Sequence, residues 1–163
     1  MTMLQTETGA GPTRLFRHGL ALLAALALPI AQPALRIALA LPFWRSGLTR
    51  WDGPFQLAPT TTYLFQDLFK LHILGGQYPI PLAAQVAFLT ACAEIALPLL
   101  LVFGLGTRLA ALGLLAMTAV IQLVTPDGWA NFHLYWAAIA LAIIAVGPGA
   151  LSLDRLVDRG FRR

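Results

Sequence analysis

The stretch "AEIALPLLLVFGLGTR", residues 93–108, holds one carboxyl group, Glu94, in a run of aliphatic side chains. A carboxyl in such surroundings can pair with a cation or carry a proton. Pro98 follows one helical turn later. A proline has no N–H, so the carbonyl of residue 94 loses its helical partner. A carboxyl and a freed backbone acceptor therefore occur at one residue. Pro42 does the same to the carbonyl of Ala38. A second polar group is spread over later segments: Gln85, Gln122, Trp129, Asn131 and His133, with Asp127 in an adjoining loop. An imidazole beside amides suits hydrogen bonding to the head group of a bound molecule. The competing reading is that Trp129 marks a membrane interface and that Asn131 and His133 only begin a helix, with the glutamines joining helices.

The composition states what solvent surrounds these groups. The 163 residues are 58% hydrophobic and 11% charged, with a mean hydropathy of +0.74. A soluble domain carries about 25% charge. The long apolar runs therefore read as transmembrane helices, which need about 20 residues each. The net charge is +4, but the basic residues are dispersed, and nucleic acid is not an expected partner. The single cysteine, Cys92, rules out an internal disulfide and CxxC chemistry, and it reads as a packing residue. His18, His72 and His133 lie far apart without zinc-ligand spacing, so no metal site is expected.

The elements that must position these groups follow from apolar runs, prolines and glycines. Residues 1–14 read as a flexible tail and 15–163 as a single transmembrane domain. The first hydrophobic segment has several registers. A span could cover 19–40, or 15–30 could form a pre-helix on or in the membrane, with a span over 33–48 opened by Pro33. A cleaved signal peptide is a third reading. Further spans are expected at 82–103, 106–124 and 129–146. Gly104 and Gly106 make the reversal between the second and third. The segment 60–71 reads as an amphipathic interfacial helix, with Leu64, Phe65, Leu68, Phe69 and Leu71 on one face. A last helix, 152–161, is capped by Ser152. Arg108 and Asp154 read as interface anchors. Ala138 and Ala142 form a small face that allows close packing within the bundle or between copies of the chain. The fold expected is all-α: a four-helix transmembrane bundle with short interfacial helices. With both termini in the cytoplasm, eight of the eleven basic residues fall inside and three, Arg45, Arg50 and Lys70, fall outside.

"FWRSGLTR", "AEIALPLLLVFGLGTRLAALGLLAM" and "NFHLYWAAIALAIIAVGPGALSLDRL" together resemble the DoxX family of small bacterial and archaeal membrane proteins. The resemblance spans about 35–156. Where many members have a lysine after the first-span glycine, this chain has Arg50. The family takes its name from a subunit associated with an archaeal terminal quinol oxidase. Related proteins accompany thiosulfate:quinone oxidoreductase or thiol and oxidative-stress systems. The resemblance implies a multi-pass subunit in the bacterial cytoplasmic membrane, working beside membrane or soluble redox and stress proteins. It leaves the cofactor unknown, with a quinone as the candidate. No catalytic residue follows from it. A non-catalytic anchor that recruits soluble proteins is the alternative, and a small-solute or metal transporter is a further one.

Depth arithmetic suggests a partner for Glu94. The acid lies ten residues, about 15 Å, from Gly104, near the middle of a ~30 Å hydrocarbon core. A charge there costs about 2.5–3.5 kcal/mol. Arg45 lies nine residues, about 13–14 Å, from Arg36 along the first span. The two residues are expected at one depth and to pair with each other.

Overall fold

The computed structural model describes residues 12–161. Four helices are long and apolar enough to cross a membrane. The first, α1, runs from Pro12 to Leu48 and contains Pro29, Pro33 and Pro42. One continuous helix thus runs through both registers expected of the first span. Its 37 residues extend about 55 Å, well beyond one bilayer core. The helix also takes in residues 12–14 of the expected tail, whose remainder lies outside the described residues. From Phe16 to Leu28 the helix is exposed, and packing against the bundle begins near Gln32 and Arg36.

Short elements follow: β1 (Trp51–Gly53) and β2 (Gln56–Leu57), helix α2 (Pro59–Tyr63), a π-helical turn (Leu64–Leu68), then β3 (Lys70–Ile73) and β4 (Gly76–Pro79). The expected amphipathic helix over 60–71 is therefore cut short. Phe69 is extended, and Lys70 and Leu71 pair with Pro79 and Tyr78 in an antiparallel hairpin. The hairpin turns at Leu74 and Gly75, both with positive φ (50° and 81°). Backbone pairing across this tight turn prevails over the helical hydrophobic pattern. Only Phe65 of the expected apolar face is buried, and Leu68 is exposed.

Helix α3 (Ala83–Phe103) ends at Gly104 in the left-handed conformation, and α4 (Thr107–Val124) runs back. A 3₁₀ turn (Pro126–Gly128) and a π-helical turn (Trp129–His133) lead into α5 (Leu134–Val146), and α6 (Leu153–Phe161) follows. The core forms where α1, α3, α4 and α5 meet. Leu39, Phe43, Leu101, Leu114 and Ile143 fill it, while Ala110, Ala111 and Ala140 let backbones approach. The bundle has two ends: the α3–α4 turn lies at one and the two hairpins at the other.

Candidate functional site

Glu94 is 2% exposed and sits midway along α3. Its partner is Arg50, whose Nε donates to Oε2 at 3.0 Å. Arg50 Nη2 also reaches Oε1, at 3.4 Å, and Ser46 Oγ donates to the same oxygen at 3.1 Å. Ser46 lies in the last turn of α1 and Arg50 in the turn just past its end, and both reach Glu94 of α3. Arg45, the expected partner, is exposed and makes no ion pair among the described residues. The contact at Ser46 puts Arg45 at the height the depth arithmetic assigns it. Each residue turns a helix by about 100°, however, and that rotation places Arg45 on the outer side of α1.

The backbone of α1 is part of the site. A Cβ on Gly47 would lie 2.9 Å from both the carbonyl carbon and oxygen of Glu94. Only a glycine allows this approach, and the carbonyl it covers is the one Pro98 leaves without a helical donor. Pro98 itself is fully buried.

A roof closes the pair from the hairpin end. The Arg50 carbonyl accepts the Ala58 N–H at 2.8 Å and the Thr61 hydroxyl at 3.2 Å. The Phe65 ring lies under the Arg50 guanidinium, 5.4 Å from centroid to Cζ. Trp51 meets Phe88 edge-on at 5.6 Å, which fastens β1 to α3. His72 Nδ1 donates to the Leu123 carbonyl at 3.1 Å and ties β3 to α4.

The second expected group assembles in part. His133 is 3% exposed, and its Nδ1–H donates to Gln122 Oε1 at 2.6 Å. The Gln122 amide donates to the Pro126 carbonyl at 3.0 Å, so the histidine is oriented through a fixed amide. The bonded Nδ1 leaves Nε2 as the free acceptor. Gln85, Trp129 and Asn131 are exposed and do not join this pair, and Asp127 is exposed as well. No cleft of all these residues exists among the described residues.

A further charged cluster lies at the turn end. Asp154 accepts from Gly106 N at 2.6 Å, Thr107 N at 2.9 Å and Thr107 Oγ1 at 2.7 Å. It thereby caps α4 from a distant part of the chain, where a carboxylate also suits the helix dipole. Burial opposes its ionised form, but these hydrogen bonds and the Arg36 charge outweigh it and hold Asp154 below the usual carboxylate range. Arg36 is 2% exposed and its Nη2 donates to the Leu151 carbonyl at 2.5 Å. Gly104 leaves space for the guanidinium, since a Cβ there would collide with Nη1. Asp154 is thus a tertiary helix cap, a more specific role than the interface anchor expected of it.

Sequence reasoning missed Arg50, Ser46, Gly47, Thr61 and Phe65 as parts of the Glu94 site. The signal available was the i, i+4 spacing of Ser46 and Arg50 in "FWRSGLTR". The family model for DoxX matches residues 31–127, which is 97 of the 163 residues. The chain belongs to the DoxX family. The matched stretch contains the whole Glu94–Arg50 centre and its roof. An uncharacterized protein of Haemophilus influenzae is similar to this DoxX chain, 29% identical over 140 aligned positions, covering 77% of this chain and 82% of the relative. No solved structure matches significantly.

Proposed function

We propose that this DoxX protein is a multi-pass subunit of a redox or stress-response system in the bacterial cytoplasmic membrane, with both termini inside. The Glu94–Arg50 pair is its working centre, and a quinone is the ligand it serves. The observation that carries the reading is a 2% exposed carboxylate held to a guanidinium midway along the apolar helix α3. Charged groups at such depth are costly, and they mark ligand and proton paths by default. The site is roofed by short elements rather than by a full span, and such a roof can open without unfolding the bundle. His133 offers a second polar contact through its free Nε2. The orientation rests on the excess of arginine at the turn end and near both termini.

The pair's saturation favours a second reading. Both oxygens of Glu94 are engaged within the chain, as expected of a structural lock in a non-catalytic anchor. The two readings part in one experiment. The full chain is purified from its native membranes in mild detergent and the extract is assayed for quinone. The redox reading expects about one quinone per chain, lost in the Glu94→Gln/Arg50→Gln variant, which stays folded because it strands no buried charge. A quinone-free wild type, with a folded Glu94→Gln/Arg50→Gln variant that still restores growth under oxidants, establishes the anchor.

A further inference from the structure

We propose that the cleft between the N-terminal half of α1 and the start of α6 holds the head group of a phospholipid that carries a primary amine, of the phosphatidylethanolamine type. The cleft measures about 570 Å³, and its polar lining is Gln32 of α1 with Asp154, Arg155 and Asp158 of α6. Val146, the last residue of α5, and Pro148 add an apolar edge. The ends of the spans fix its depth. At the turn end α3 stops at Phe103, α4 starts at Thr107 and α5 stops at Val146. Asp154 is bonded to the Thr107 amide and Arg36 to the Leu151 carbonyl, so α6 begins at that level. Gln32 lies four residues, about 6 Å, beyond Arg36 along α1. The head-group layer adds about 5–8 Å to each side of the hydrocarbon core. The polar lining therefore stands where phosphates and amines lie, and the edge at Val146 stands where acyl chains begin.

The charges in the cleft select the head group. Asp154 is taken up by Gly106 and Thr107 at the start of α4. Arg155 makes no ion pair among the described residues. Asp158, three residues on, offers a carboxylate, which has about four acceptor sites and takes an ammonium beside other partners. Residues at this spacing on a helix have their Cβ atoms about 5–6 Å apart. A phosphate and an ammonium joined by a short ethylene link match that pair. Arg155 donates to the phosphate oxygens, and the ammonium donates to Asp158 and to Gln32 Oε1. Gly149, whose φ is 85°, leaves the room that the Gln32 amide occupies, since a Cβ there would collide with Oε1. A choline head group carries the cation but has no N–H to donate. A glycerol head group has no cation and sets its phosphate beside carboxylates without compensation. The inference is independent of the proposed function, because neither residue of the Glu94–Arg50 centre takes part.

The test is native mass spectrometry of the full chain released from vesicles that hold phosphatidylethanolamine, phosphatidylcholine and phosphatidylglycerol in equal parts. The expected result is a retained lipid that is phosphatidylethanolamine, in about tenfold preference over either of the others. Arg155→Gln should lower retention of phospholipid about tenfold, and Arg155→Lys should keep it. Asp158→Asn should keep a lipid but erase the preference, and Asp158→Lys should turn it toward phosphatidylglycerol. Arg159→Gln is the control, because Arg159 shares α6 but does not line the cleft, and it should change nothing. The same variants melted in detergent should match the parent chain, which separates lipid retention from folding. Soluble phosphoethanolamine should not displace the lipid. Equal retention of the three lipids, a preference untouched by Asp158→Asn, a loss in Arg159→Gln as large as in Arg155→Gln, or displacement by phosphoethanolamine would each overturn the proposal. Quinone content is read separately in the Glu94→Gln/Arg50→Gln variant, so the failure of either idea leaves the other visible.

Discussion

Two acids organise this molecule in different ways. Glu94 lies midway along α3 and is held by a hydroxyl from α1 and a cation from the turn that follows it. Asp154 lies at the α3–α4 turn and is held chiefly by backbone N–H groups and a threonine of α4. Water replaces the partners of Asp154 when they are lost, because α6 is exposed. Nothing polar replaces those of Glu94. The same type of residue is therefore a local clamp at the turn end and a condition for the fold at mid-height. The difference also explains where glycine is required. At the turn Gly104 makes room for a side chain, Arg36, whereas at mid-span Gly47 makes room for a backbone carbonyl.

The comparison is sharpest when each acid is removed. Glu94→Gln or Arg50→Gln strands a buried charge, and each should lower stability by about 3–5 kcal/mol, read as folded yield and melting in detergent. Asp154→Ala should cost less, about 1–3 kcal/mol, because the groups it leaves without a partner, two N–H groups and the buried Thr107 hydroxyl, are neutral. Asp154 also brings a pH dependence. Its pKa is lower in the folded state, so its contribution is complete above the ordinary value of about 3.9. That contribution is lost as the pH falls from there through the folded value. Asp154→Asn should flatten the acid limb of the melting curve, whereas a limb identical to the parent's would remove Asp154 from this role. Gly47→Ala tests the backbone approach. Its new methyl meets the Glu94 carbonyl, and a loss of about 1–3 kcal/mol is expected. Smallest is Phe65→Leu, which keeps the burial but removes the ring under Arg50, for about 0.5–1 kcal/mol. An effect larger than that of Asp154→Ala would mean that the roof does more than cover the pair.

Glu94 was legible in the sequence because a charge in a run of aliphatic residues has few explanations. The four apolar segments, the Gly104 reversal and the Ser152 start of α6 were legible for similar reasons: length, hydropathy and cap residues are local signals. The partner was not. Height along a helix follows from counting residues, but the face follows from the angle, and a single sequence states which face is buried only where polar residues alternate with apolar ones. The second half of α1 is mostly apolar and its end was not fixed by the sequence, so Arg45 inside it and Arg50 just past it could not be ranked by pattern. The β3–β4 hairpin was hidden for another reason. Its turn begins with a leucine in a left-handed conformation, which turn chemistry does not anticipate. Asp154 was hidden by distance, since it caps a helix that begins 47 residues earlier in the chain.

The central claim is that Glu94 is matched to Arg50 and not to Arg45. A double-mutant cycle on purified protein in detergent tests it directly, using the melting free energies of Glu94→Gln, Arg50→Gln, Arg45→Gln and the two double variants. The account predicts that Glu94→Gln/Arg50→Gln costs far less than the sum of its single changes, with a coupling of about 2–3 kcal/mol, while Glu94→Gln/Arg45→Gln is additive within about 0.5 kcal/mol. Additive losses for Glu94 and Arg50, or a coupling that belongs to Arg45, would contradict it.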